Sequence, residues 1–365
     1  MKIYDYIIIG GGISGCTIAY ELLAYSKDIL LIDKNQDVAA EASGAAGAFL
    51  SPLLGKPNDF KDLVTKALKY STLFYKKNFP NLIYNCGTTR IPKDNQDAKK
   101  FIEYMPYMDF EYEKKEDGYF FKIGSVVKSY EICKAMVKDI ETLFNKEIKT
   151  IEYKDNFWVL DNELKTKNLI LATGIKTNLI DQFYINIRAV WGRRIDVKTS
   201  TKIQHNYHKA CSLCKSFDDI VSIGATHHRK KQDVEDIKSN HQDLLKKAND
   251  IKKLEDVEII KDYMGARACS VDYFPMIGKI IDGDKTLKEF PYLKNGTNVK
   301  EDRFTRYNNL YIINGVGGRG FVLAPYLAKL LVEHIIDAKD IDSSLSVDRL
   351  FKRDVKRINF DGVKK

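Results

Sequence analysis

Tyr6-Ile7-Ile8-Ile9-Gly10-Gly11-Gly12-Ile13-Ser14-Gly15 stands near the start of a 365-residue chain and decides how the rest is read. The uncharged apolar run, closed by glycines, reads as a buried strand. Gly10, Gly12 and Gly15 fit the GxGxxG spacing. The first glycine makes a tight turn, the second admits a pyrophosphate against the backbone, and the third lets helix and strand pack closely. Ile13 to Tyr25 reads as the following helix, with Ile18, Leu22 and Tyr25 on one stripe. Its first residues, Ile13 and Ser14, would offer free N–H groups and the positive end of the helix dipole to phosphates. Asp28 to Asp33 reads as the second strand. Asp33, eighteen residues past Gly15, ends it with a carboxylate suited to ribose hydroxyls.

NAD and FAD share this fingerprint, so the choice between them rests on later segments. Glu41 to Ala48, with Ser43, Gly44 and Gly47, is small enough for close backbone approach along an extended cofactor. Leu171-Ala172-Thr173-Gly174 ends a short strand at a second turn, and Asn314-Gly315-Val316-Gly317-Gly318-Arg319-Gly320 ends another and opens the last helix. A helix N-terminus there can stabilise the negative charge of a reduced flavin. Three such turns after the fingerprint point to FAD.

The length suits two joined domains rather than one small core. With 44% hydrophobic and 30% charged residues, the composition is that of a water-exposed globular chain. The apolar run at Tyr6–Ile9 is too short for a membrane span and lacks cleavage-site chemistry behind it. The expectation is a cytoplasmic chain with neither signal peptide nor transmembrane helix. Six cysteines without a framework spacing are expected to be reduced. His205, His208, Cys211 and Cys214 recur every three residues, which invites zinc, but structural sites separate their ligand pairs by a longer loop. Buried thiols on a strand, with no metal, is the favoured alternative. A net charge of +9 fits a polyanion partner, though a chain rich in Lys, Asn and Tyr reaches it without one.

Further along, Asp59 to Asn78 reads as a helix, 84–91 and 119–127 as strands, Tyr130 to Phe144 as a helix and 148–160 as a hairpin. Residues 186–226 alternate like strands, Val234 to Asn249 is a polar helix, and 256–264 is another strand. Leu310 to Asn314 reads as the final strand and Gly320 to Ile336 as the final helix. Residues 281–307 lack apolar periodicity and read as a loop insertion.

Several ordered blocks resemble the D-amino-acid oxidase and glycine oxidase superfamily of flavoproteins. They are Ala42-Ser43-Gly44 through Gly47-Ala48, Ser51-Pro52-Leu53-Leu54, Gly224-Ala225-Thr226-His227-His228-Arg229, Gly265-Ala266-Arg267-Ala268-Cys269 with Asp272 to Gly278, and Gly317-Gly318-Arg319-Gly320 with Ala324-Pro325. Asp282, Thr286 to Phe290 and the basic tail around Leu350-Phe351-Lys352-Arg353 favour, within it, the FAD domain of the bifunctional tRNA 5-methylaminomethyl-2-thiouridine biosynthesis family, MnmC. That family carries a methyltransferase domain ahead of its flavin domain, whereas this chain starts at the flavin strand and resembles the oxidase half alone. Ala45 stands where the family commonly has a polar residue, and Gly318 where a serine precedes the arginine.

The resemblance implies an α/β fold, with a Rossmann-like FAD-binding domain (residues 1–55, 125–185 and 265–365) interleaved with an antiparallel-sheet α+β substrate domain (56–124 and 186–264). It implies FAD-dependent oxidation of the carboxymethyl group of 5-carboxymethylaminomethyl(-2-thio)uridine at a tRNA wobble position, giving 5-aminomethyl(-2-thio)uridine and glyoxylate. An oxidase of glycine, sarcosine or another small amino acid is the alternative, and a flavoprotein that only binds tRNA is a third. Arg267 is the implied carboxylate clamp, with pairing to an acid such as Asp272 as its competing role. Arg319, near the flavin by its turn position, is a second catalytic candidate that would hold the substrate or tune the ring, with a purely structural role as the alternative, and Arg193 and Arg194 are weaker candidates. Of His227 and His228, adjacent on a strand, at most one faces the site. Arg229-Lys230-Lys231, Lys352, Arg353, Lys356, Arg357, Lys364 and Lys365 are candidate phosphate contacts, with solvated surface as the alternative. tRNA is the implied partner, and a separate methyltransferase acting on the product is a further one.

Overall fold

The Tyr6–Ile9 run lies inside the strand Ile3–Ile9, where Ile7 and Ile8 are fully buried. The computed structural model describes residues 2–358. Ile3–Ile9 pairs in parallel with Ile29–Ile32 on one side and Leu164–Leu171 on the other. Arg306–Asn314 continues the sheet beyond Leu164–Leu171, and Glu141–Leu143 extends it beyond Ile29–Ile32, both in parallel. Strands covered on both faces are uniformly apolar, as Ile29-Leu30-Leu31-Ile32 is.

The helices Ile13–Leu22, Asp59–Asn78 and Gly320–Asp337 cover one face of this sheet. Pro325 interrupts the last of them and cannot donate to the carbonyl of Phe321 four residues back. The buried Tyr75 hydroxyl donates to that carbonyl at 3.0 Å, and Ser71 Oγ to the next one, of Val322, at 2.6 Å. No buried backbone acceptor is left open there. The other face packs on Tyr184, Ile280, Phe304 and Phe351.

A second, mostly antiparallel sheet runs in the order Glu258–Ser270, Ile187–Lys198, Ile220–Gly224, Ser212–Leu213, Asn206–His208, Thr88–Arg90, Tyr119–Phe121, Tyr112–Lys114. It draws on two separated stretches of chain, so the chain crosses repeatedly between the sheets. Among the described residues no helix is long and apolar enough to cross a membrane.

Some expectations are corrected. The helix expected over Tyr130 to Phe144 is Ser129–Met136, and the chain then becomes the strand Glu141–Leu143. The open edge of Ile29–Ile32 supplies backbone partners there and overrides the helical period. Residues 281–307 are not a bare insertion. Asp282 Oδ1 caps the helix Gly283–Glu289 by accepting from Lys285 N at 3.0 Å, and Leu293, Val299 and Phe304 anchor the following turns in the core. Their apolar residues are widely spaced because each turn is short. The helix expected over Val234 to Asn249 is split at Asp236, whose side chain caps Ile237–Asn249. The final strand begins at Arg306, four residues before the apolar run.

Candidate active site

A cavity of about 840 Å³ lies between the two sheets. The first βα turn forms one end. Gly10 holds φ +115°, and a Cβ there would lie 2.3 Å from the Ala172 carbonyl oxygen. A Cβ on Gly15 would lie 1.8 Å from the Gly10 oxygen. Both positions therefore demand glycine: Gly10 presses the first turn against the second, and Gly15 seats the helix on the turn. Gly12 caps Ile13–Leu22 without a side-chain bond, and no acid stands in the first turn. The Ile13 N–H donates to Ser43 Oγ at 2.9 Å, which brings the Glu41–Ala48 loop to the helix N-terminus. Asp33 lies beside this turn. Its Oδ2 accepts from Gly11 N at 2.6 Å, and its Oδ1 from Asn35 N and Nδ2 at 2.8 and 2.9 Å. Each oxygen keeps further acceptor capacity.

The later turns close onto this end. Asn314 Nδ2 donates to the Gly174 carbonyl at 2.8 Å. Gly10, Gly12, Ile13, Ser14, Asp33, Ser43, Gly47, Ala172, Thr173, Gly174, Gly317, Gly318, Arg319 and Gly320 all line the cavity. Gly15 and Gly44 do not; they act by backbone approach, and a Cβ on Gly44 would lie 2.1 Å from the Ala39 oxygen. This lining fits FAD: a glycine cradle at a helix N-terminus with no acid in its first turn, a carboxylate at the second strand, and two more backbone turns along the same cavity.

The opposite end is cationic. Arg267, on Glu258–Ser270, lies across Gly192 of the neighbouring strand, where a Cβ would fall 2.5 Å from Nη1. Its hydrogen bonds are long ones to backbone carbonyls, at 3.3 Å to Thr226 from both Nη1 and Nη2 and 3.5 Å to Trp191. Burial holds its guanidinium below the ordinary arginine range. Asp272 is committed elsewhere, to Arg349, with Nε to Oδ2 at 2.8 Å and Nη2 to Oδ1 at 3.1 Å. Pairing of Arg267 with Asp272 is thereby excluded. His227 lines the cavity, and the surrounding protein and then Arg267 push its pKa down to about 4. His228 is turned away, its Nε2 2.9 Å from Asn240 Oδ1.

Arg319 reaches back to the Ser51 carbonyl at 3.2 Å, and burial pushes its pKa down to about 10. Arg90, a residue the sequence does not single out, donates to the next carbonyl, Pro52, at 3.2 Å. Burial, and then Arg319, push Arg90 to about 9, and its buried Nε has no hydrogen-bond partner among the described residues. His208 also lines the cavity, and burial followed by Arg90 and Arg319 holds it well below the usual histidine range. Arg90 carries no motif, and the spacing that marks His208 points to zinc rather than to this cavity. Both lie on short strands, and nothing local says that those strands pair.

The weaker candidates are structural. Arg193 pairs with Asp262 and donates to the Val234 carbonyl, and Arg194 holds the Ala46 carbonyl at 2.7 Å under Tyr263. The zinc spacing comes apart: His205 Nε2 meets Thr89 Oγ1 at 2.9 Å, His208 Nδ1 meets Ser212 Oγ at 2.7 Å, and Cys211 and Cys214 are buried free thiols. In the tail, Lys352 pairs with Glu301, and Arg353 and Arg357 with Asp354; Lys364 and Lys365 lie outside the described residues. Lys231 pairs with Glu235, whereas Arg229 and Lys230 stand exposed beside the cavity-lining His227.

A family model described as DAO, FAD dependent oxidoreductase, matches residues 5–334. The bifunctional MnmC protein of Campylobacter concisus, named for tRNA 5-methylaminomethyl-2-thiouridine biosynthesis, is 25% identical over 350 residues, covering 90% of this chain and 56% of its own. Its Legionella pneumophila (strain Lens) namesake is 23% identical over 359 residues, covering 89% and 53%. The chain thus spans little more than half the length of these curated relatives. Among solved structures, glycine oxidase from Geobacillus kaustophilus superposes with a TM-score of 0.74 at 16% identity, over 95% of this chain and 99% of that one. At that identity the likeness shows the fold.

Proposed function

The chain belongs to the DAO family of FAD-dependent oxidoreductases, and on that premise we propose that it removes the carboxymethyl group from 5-carboxymethylaminomethyl(-2-thio)uridine at a tRNA wobble position. The products are 5-aminomethyl(-2-thio)uridine and glyoxylate. Bound in the cavity, FAD supplies the acceptor for the two electrons lost from the CH₂ between nitrogen and carboxylate, after which water hydrolyses the imine.

The observation that carries the reading is Arg267: a charged guanidinium in the cavity wall that, among the described residues, is held by backbone carbonyls and by no acid. Its planar fork matches a carboxylate bidentately, which would fix the adjacent carbon. The cations around it also act on the amine. Arg267, Arg319 and Arg90 disfavour a second positive charge nearby, so a bound secondary amine is held neutral, the form that can be oxidised. No separate base is required. The tRNA part is supported by the MnmC relatives and by exposed Arg229 and Lys230 beside the cavity.

The test is flavin bleaching by carboxymethylaminomethyl-bearing tRNA, with glyoxylate assayed in the same tube, against free glycine and sarcosine. Bleaching by the tRNA with stoichiometric glyoxylate is expected. Rapid reduction by a free amino acid and none by the tRNA would reverse the assignment to a small amino-acid oxidase. Binding without glyoxylate would leave a tRNA-binding flavoprotein.

A further inference from the structure

The cavity holds two cationic groupings rather than one. Arg267, with His227 beside it, forms the first. The second is built on different strands. Arg90 and His208 are register partners in the parallel pairing of Thr88–Arg90 with Asn206–His208, so their side chains leave the sheet on the same face. Arg319 arrives from the late glycine turn, and it and Arg90 rest on the consecutive carbonyls of Ser51 and Pro52. Three cavity-lining groups from three distant segments therefore converge.

No acid offsets them. Among the described residues, the carboxylates on the cavity wall are Asp33, at the nucleotide turn, Glu41, paired with Lys34, Glu147, paired with Lys176, and Asp272, paired with Arg349. Asp97, the acid that acts on Arg90, already accepts from the Lys93 N–H at 3.0 Å. Among the described residues the buried Nε of Arg90 lacks an acceptor, and the Nδ1 of His208 is engaged by Ser212, which leaves Nε2 for a ligand. Buried guanidinium groups facing one another without a counter-charge are unfavourable unless an anion joins them.

We propose that Arg90, Arg319 and His208 form a second anion subsite, separate from the Arg267 clamp, that recognises a second carboxylate or phosphate group on the substrate. This rests on the reading of the cavity as an FAD-dependent amine-oxidation site. A substrate is then selected by two anionic groups at once. On a small molecule the second is another carboxylate; on a nucleotide it is a phosphate.

The experiment uses FAD-loaded protein and ligands with no amine to oxidise, so it does not depend on turnover. Acetate carries one anion, succinate two carboxylates, and 2-phosphoglycolate a carboxylate and a phosphate. Binding is read from perturbation of the flavin spectrum and, independently, from the ligand-induced rise in Tm. One charge-assisted hydrogen bond corresponds to about tenfold in affinity, so each favoured dianion should bind at least about tenfold more tightly than acetate. The stronger of the two dianions identifies the source. R90Q should lower the dianion-to-acetate ratio by about tenfold, R90K should restore part of it, and K339Q, an exposed partner of Glu333 outside the cavity wall, should leave the ratio in place. If R90Q fails to fold, H208Q replaces it and should lower the same ratio. No dianion preference in the wild type, or an equal loss in K339Q, overturns the subsite. A ratio unmoved by R90Q together with a shifted flavin potential overturns it too, by assigning the pair to the flavin. Intact dianion preference without turnover of the tRNA would count against the substrate assignment alone.

Discussion

The two ends of the cavity are built in opposite ways. At the Gly10 end, residues close in the chain make the cavity wall by leaving side chains out, so that it presents backbone and one carboxylate. At the Arg267 end, long polar side chains from four separate segments, around Arg90, His208, Arg267 and Arg319, line the same cavity. The first end tolerates almost no added volume. The second tolerates rearrangement but not loss of charge. A cofactor held at every turnover suits the rigid cradle, whereas a substrate that must enter and leave suits adjustable side chains on the rim.

Mutations should separate the ends. The largest effect is expected from Gly15→Ala, whose Cβ would lie 1.8 Å from the Gly10 oxygen. Overpacking of this kind costs about 1–3 kcal/mol or more, and here it strikes the cofactor turn directly. The purified variant should be colourless or unfolded by absorbance and circular dichroism. A stable yellow protein would dissolve the contrast. Arg267→Ala comes next. It should lower kcat/KM for the carboxymethyl substrate by about a hundredfold, as loss of one partner of a buried charge pair does, while the flavin content stays unchanged. Equal loss of FAD would show that the two ends are not separable. Asp33→Ala should weaken FAD retention by about tenfold, measured by reconstitution, with the Arg267 end unaffected.

A pH profile sharpens the comparison. His227 sits at about 4 and His208 well below 6.5, so in the unfolded chain both take up protons first. Their contribution to stability is complete above about 6.5 and is lost as pH falls from there toward 4. Tm should therefore drop between pH 7 and 5, less so in H208Q or H227Q, and an anion at this end should reduce the drop. The smallest effect is expected at the tail. Lys352→Ala removes a partly exposed pair with Glu301 and should shift stability by no more than ~1 kcal/mol.

Legibility follows the same division. Gly10, Gly12, Gly15 and Asp33 were readable because the groups that shape this turn lie within one βα unit. Ala172-Thr173-Gly174 and Gly317 to Gly320 were readable as strand-end turns, and they do line the cavity. Arg267 was marked by its resemblance to a family block, and not by its own surroundings. The pairing of Asp272 with Arg349 rather than Arg267 spans 77 residues and has no local signature. The same holds for the strand Glu141–Leu143, which continues an apolar helical period and is made a strand by its neighbour's open edge.

By itself the sequence determined the dinucleotide turn, the glycines that permit it and the apolar strands behind it, because these depend on excluded volume and hydrogen bonding between residues close in the chain. Only the tertiary structure decided which cations share a space, since that follows from strand register across two sheets. Arg90 faces His208 because Thr88–Arg90 pairs with Asn206–His208, and meets Arg319 because both reach the Ser51–Pro52 carbonyls. Charges act through distance in space, and that distance is set by pairing that no local pattern records.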